Sequence, residues 1–145
     1  MHVLILDSNP TIRGALEVLF ASEPDVTATA CRELPLRSSL DHDVALVDER
    51  LAGAFTEHAR AVLESLSRHA PVVVMGMGER ASYEQAHVTA GAVGYWPKDG
   101  DVDSLVALVR AAGLVGQADR AYAAARRSLK ARFAQRRTQR IAAAA

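Results

Sequence analysis

Five short apolar runs punctuate the chain: HVLIL at 2–6, VTATA at 26–30, VALV at 44–47, PVVVM at 71–75 and AVGYW at 92–96. Each is strand-length, and most set apolar residues at successive positions instead of alternating them with polar ones. That pattern suits strands covered on both faces, as in a parallel sheet. Between the runs the spacing turns helical. Over 10–20, Ile12, Leu16, Leu19 and Phe20 share one helix face, with Asn9 placed to cap and Pro10 to open the first turn. Phe55, Ala59, Val62, Leu63 and Leu66 recur at threes and fours across 54–69. Val102, Leu105, Val106 and Val109 do the same across 101–112, behind the candidate cap Asp101. The polar stretch 79–90 predicts a weaker helix. Residues 32–42 leave room for one or two helical turns, and Pro35 restricts where they begin.

Strands alternating with helices predict an α/β domain: a parallel sheet with helices on both faces, joined by right-handed crossovers. At 145 residues, half of them hydrophobic, the chain has room for one ordinary domain with its own core. No apolar run approaches a membrane span, and residues 1–7 stop at an acid too early for a signal peptide, so a cytoplasmic protein without membrane contact is expected. The single cysteine, Cys31, excludes an internal disulfide and offers no metal-ligand spacing.

Charge changes the picture. The formal net charge is zero, yet residues 1–117 carry 9 basic and 16 acidic side chains, whereas 118–145 carry 8 basic ones and only Asp119. The basic segment, ADRAYAAARRSLKARFAQRRTQRI over 118–141, is rich in strong helix formers. Tyr122, Ala125, Leu129 and Phe133 draw a narrow apolar stripe along it. Gly113 and Gly116 are expected to break the chain before it, dividing a domain over 1–115 from a basic helical extension or linker over 116–145. Three uses of the extension stay open: a solvated continuation, a dimerisation or interdomain helix, or a nucleic-acid contact through Arg126, Arg127, Lys130, Arg136 and Arg137.

Ligands of open α/β sheets bind outside the carboxyl ends of the strands. Those ends carry Asp7-Ser8-Asn9, Asp48-Glu49-Arg50, Gly76-Met77-Gly78 and, after the fifth run, Lys98. With the first and third strands adjacent, Asp7 and Asp48 converge and Lys98 enters from the other side. A nucleophilic carboxylate, a second acid and an ammonium suit phosphoryl transfer, which depends mainly on positioning and charge neutralisation. The glycines of GMG and AGAVG lack the Gly-Lys spacing of a phosphate-binding loop. His2, His42, His58, His69 and His87 are scattered and are expected at the surface or in packing. With no triad, metal-ligand set or dinucleotide fingerprint, an α/β enzyme is not expected.

The segments LILDSNPTIRGALEVLF, DVALVDERLAG, PVVVMGMG and AGAVGYWPKD, in that order over roughly residues 1–114, resemble a bacterial response-regulator receiver domain. The resemblance implies a five-stranded sheet in the order 2-1-3-4-5, and phosphorylation of an aspartate by a histidine kinase or phosphotransfer protein. Asp48 matches the phosphoacceptor and Lys98 the lysine that contacts the phosphoryl group. Tyr95, with position 76, matches the switch that reports modification to an output face. Mg²⁺ is the implied cofactor, with Asp7, Asp48 and the backbone carbonyl of Arg50 as ligands. Ser8 departs from the pattern, placing a neutral hydroxyl where a second acid is usual and where a hard cation binds better to carboxylate. Gly76 lacks the hydroxyl expected to bond the phosphoryl group, Met77 is expected to crowd Asp48, and Ala52 replaces a proline. The implied output is transcriptional, through DNA or a homodimer. The alternatives are a phosphorylation-independent interaction module and a nucleic-acid binder acting through the tail.

Overall fold

A computed structural model describes residues 1–34 and 41–143. Strands β1 (His2–Leu6), β2 (Thr27–Cys31), β3 (Val44–Asp48), β4 (Val72–Gly76) and β5 (Gly94–Pro97) form one sheet, all neighbours parallel, in the order β2-β1-β3-β4-β5. The helices are α1 (Pro10–Ala21), α2 (Glu57–Ser67), α3 (Arg80–Thr89) and α4 (Val102–Ala143). The short helix expected within 32–42 falls largely on residues outside those described.

The unbroken apolar runs have a direct structural cause, because successive side chains of a strand point to opposite faces. Val3, Ile5, Val44, Leu46, Val73 and Met75 enter one core with Leu16 and Phe20 of α1 and Leu105 and Val109 of α4. Leu4, Leu6, Ala45, Val47, Val72 and Val74 enter the other, under Leu63 and Leu66 of α2. β3 is buried along its whole length. β2, paired only with β1, keeps exposed threonines between its alanines, as an edge strand can.

The helix starts follow the capping logic. Asn9 accepts from the Thr11 amide at 2.9 Å, ahead of Pro10. Asp101 accepts from the Ser104 amide at 2.9 Å at the start of α4. Phe55 corrects an expectation. Thr56 caps α2, so Phe55 precedes the helix and is exposed, resting on Tyr83 and His87 at centroid distances of 4.8 and 5.0 Å.

The break expected at Gly113 and Gly116 is also absent: α4 runs through both as one helix of 42 residues. These glycines serve close packing. A Cβ on Gly113 would run into the Met1 sulfur, and one on Gly116 into the Asp43 carbonyl, with Pro71 Cδ 2.9 Å away. One turn on, Arg120 pairs with the buried Asp43 carboxylate and donates to the His42 carbonyl. The first five turns of α4 are therefore docked on the domain, and the boundary expected at 115/116 is not a break in secondary structure. Beyond Arg120, Tyr122 and Leu129 are exposed, as are Arg126, Arg127 and Lys130. The side chains of Phe133, Arg136 and Arg137 lie outside the described residues.

Alanine is the better helix former by about 1 kcal/mol, but the overlap with backbone at position 116 outweighs that gain. Gly116→Ala should destabilise the fold by about 1–3 kcal/mol in urea denaturation, whereas alanine at the exposed Gln117 should be neutral.

Candidate functional site

Register brings the acids together. Leu6 of β1 lies level with Val47 of β3, so the following residues, Asp7 and Asp48, leave the sheet side by side. Both are buried. Lys98 follows β5, its amide bonded to the Gly76 carbonyl at 2.7 Å, and its ammonium reaches back over β4. It donates to Asp7 Oδ2 at 2.7 Å and to Asp48 Oδ2. The other oxygens are also engaged: Asp7 Oδ1 accepts from the Asn9 amide and Asp48 Oδ1 from the Arg50 amide, each at 2.8 Å. Burial alone would lower the Lys98 pKa, but the hydrogen bonds and charges of Asp48 and Asp7 outweigh it, and the pKa lies above its ordinary value. Lys98 therefore holds its proton and neutralises one of two adjacent carboxylates.

Above this triad opens a cleft of about 380 Å³ whose lining includes Asp7, Ser8, Asp48, Arg50, Met77 and Lys98. Met77 is part of that lining, with its side chain largely exposed to solvent. Ser8 is exposed and neutral. Among the described residues, no group of three or more His, Cys, Asp or Glu side chains is placed to hold a metal ion. The expected Mg²⁺ fits this donor set poorly. The two carboxylates already share an ammonium, and a divalent cation favours several oxygen donors of its own.

The side of Asp48 toward β4 holds what the sequence reading missed. Where Gly76 lacks a side chain, the Glu49 carboxylate occupies the space: a Cβ on Gly76 would overlap it and stand 2.7 Å from the Tyr95 hydroxyl. Glu49 Oε2 lies 3.6 Å from Nε2 of the fully buried His87. His87 Nδ1 accepts from the Ala54 amide at 3.0 Å, which places the proton of the neutral ring on Nε2, facing Glu49. Burial lowers the His87 pKa, and Glu49 opposes that shift without cancelling it. The Tyr95 ring stacks on His87 at 5.2 Å with 6° between planes. Its hydroxyl donates to the Gly78 carbonyl at 3.3 Å and accepts from the Gly78 amide at 3.0 Å. Burial pushes the Tyr95 pKa up to about 12, against the effect of the Gly78 backbone. Of the residues singled out from sequence, Asp7, Asp48 and Lys98 meet directly, while Tyr95 and Gly76 belong to this adjoining cluster. Of the basic residues of α4 singled out from sequence, the described ones, Arg126, Arg127 and Lys130, are exposed and join neither. Glu49 stands beside Asp48 in sequence, but nothing in the sequence shows that its side chain fills the space left 27 positions later.

The comparisons with known proteins agree with the fold. No protein-family model matches the chain. The nitrate/nitrite response regulator protein NarP of Escherichia coli K12 is 29% identical over 115 residues, covering 76% of this chain and 54% of that protein. The chain thus spans about half the length of the curated relative it matches. A Francisella response-regulator receiver domain superposes with TM-score 0.64 at 18% identity, over 77% of this chain and 95% of that one. The response regulator StyR does so with TM-score 0.71 at 16% identity, over 92% and 69%. This is a response-regulator receiver fold. The expected strand order 2-1-3-4-5 is present, with helices between the strands and a helix at the C-terminal end.

Two consequences of this charge arrangement can be measured. Lys98→Met should destabilise the domain by about 3 kcal/mol, because it leaves two buried carboxylates facing each other. Adding Asp7→Asn should recover part of that loss in a double-mutant cycle. Separately, the lowered His87 pKa means that the folded state disfavours the protonated ring. The contribution is complete above the ordinary value of 6.5 and is lost as pH falls below it. Chemical denaturation across that range should show the decline, and His87→Gln should flatten it.

Proposed function

We propose that this chain is the signal-receiving module of a two-component system, with Asp48 the phosphoacceptor and a histidine kinase or phosphotransfer protein the donor. The observation that carries the reading is the buried Asp7–Lys98–Asp48 triad at the carboxyl ends of three parallel strands. In the transfer, an Asp48 oxygen attacks phosphorus, the donor's P–N bond breaks, and its electron pair leaves with the imidazole. Lys98 then stays beside the new acyl phosphate and pairs with a phosphoryl oxygen, while Asp7 keeps the ammonium in place. With so incomplete a donor set, magnesium dependence should be weak. Tyr95 is the proposed switch, and α4 the proposed route to an output. A transcriptional output would parallel the regulators that the chain is similar to. Among the described residues no helix is long and apolar enough to cross a membrane, which is compatible with a cytoplasmic setting.

A second reading, an interaction module that works without phosphorylation, is favoured by the Glu49 carboxylate in the space beside Gly76. One experiment separates the two. Incubation with acetyl phosphate, with Mg²⁺ or with EDTA, should add one phosphoryl mass on Asp48, and Asp48→Asn should add none. No gain in the wild-type chain would leave the second reading standing.

A further inference from the structure

Three glycines on the β4 side of Asp48 vacate space for one cluster. A Cβ on Gly53 would stand 2.9 Å from His87 Cε1, one on Gly76 would overlap the Glu49 carboxylate, and one on Gly78 would overlap the Tyr83 ring. Into these spaces fit an acid, an imidazole and two phenols. Tyr83 lies 5.9 Å from Tyr95 and 6.4 Å from His87, centroid to centroid, and Phe55 closes the outside. The cluster binds three segments to one another. Glu49 belongs to the loop after β3 and Tyr95 to β5. The loop between β4 and α3 is held from both, its Met77 amide donating to Glu49 Oε1 at 3.4 Å and its Gly78 backbone bonded to the Tyr95 hydroxyl. No contact in this set involves the Asp48 side chain.

We propose that Glu49 is a positioning residue that holds Tyr95 buried, with the β4–α3 loop closed over it, while Asp48 is unmodified. The acid takes the volume of the missing side chain at position 76. At 3.6 Å it faces the proton-bearing Nε2 of His87 and packs beside the imidazole on which the Tyr95 ring is stacked. The proposal rests on the receiver reading only for its consequence: the burial of Tyr95 would not wait for a phosphoryl group, so modification of Asp48 would act on an arrangement already set. Gly76 is then a requirement of the device, because any Cβ there evicts Glu49.

Tyrosine nitration with tetranitromethane, mapped by peptide mass spectrometry with no phosphoryl donor present, tests this. Tyr122, which is 70% exposed, is the internal reference and Tyr95 the reporter. In the wild-type chain Tyr95 should react at least about tenfold more slowly than Tyr122. In Glu49→Ala and in Gly76→Ala its rate should rise toward that of Tyr122, and Glu49→Gln, which keeps the volume and an acceptor for His87, should restore protection. Rapid nitration of Tyr95 in the unmodified wild-type chain would overturn the proposal without recourse to any variant. So would full protection in a folded Glu49→Ala chain, or a glutamine variant as open as the alanine one. Adding acetyl phosphate to the wild-type chain separates the two failures: absence of mass gain on Asp48 defeats the phosphoacceptor reading alone, whereas Tyr95 protection that appears only after the gain defeats the role of Glu49.

Discussion

The Lys98 ammonium reaches from the end of β5 across β4 to lie between Asp48 and Asp7 at the ends of β3 and β1. Four of the five strands meet in that contact, because the Lys98 amide is also bonded to the last carbonyl of β4. Two neighbouring carboxylates buried at the edge of an apolar sheet would repel each other and lack solvation. One cation shared between them makes their burial tolerable and sets where each oxygen points. The open cleft is lined by all three members of the triad.

The two sides of Asp48 are built on different principles. Toward β1 the contacts are charged and directional, each carboxylate oxygen having a named donor. Toward β4 the organising element is volume: backbone positions without side chains admit Glu49, His87, Tyr83 and Tyr95 into one packed group. This fold can thus carry glycine at the end of β4 and still keep a filled interior there. The filling side chain comes from Glu49, the residue after Asp48, and not from β4 itself.

Much of the fold was legible in the chain. The two-sided strands showed as unbroken apolar runs, and Asn9-Pro10 and Asp101 marked helix starts by their capping chemistry. Asp7, Asp48 and Lys98 could be placed at strand ends from local pattern, and together once the receiver resemblance implied the strand order. What was not legible depends on long-range space. Gly113 and Gly116 carry the local signature of a helix break, but their role is set by Met1, Pro71 and the Asp43 carbonyl, far away in sequence. Phe55 continued the apolar spacing of α2, yet Thr56 caps the helix and leaves Phe55 outside it. Glu49 and His87 each look like ordinary polar residues. Only the vacancy at Gly76 and the amide of Ala54 make them a pair.

The continuity of α4 has a mechanical side. A 42-residue helix extends about 63 Å at 1.5 Å per residue, and some 35 Å of that lies beyond the pairing of Arg120 with Asp43. A rod held at one end is a lever. A tilt of about 5° at the docked segment would carry the far end through about 3 Å, given that length. Rotation about the helix axis would turn the exposed face of Arg126, Arg127 and Lys130 through the same angle as the docked turns. Glycines that let the helix lie flush against Met1 and Asp43 would be its fulcrum, and a small adjustment within the sheet would reach, enlarged, a basic surface well outside it.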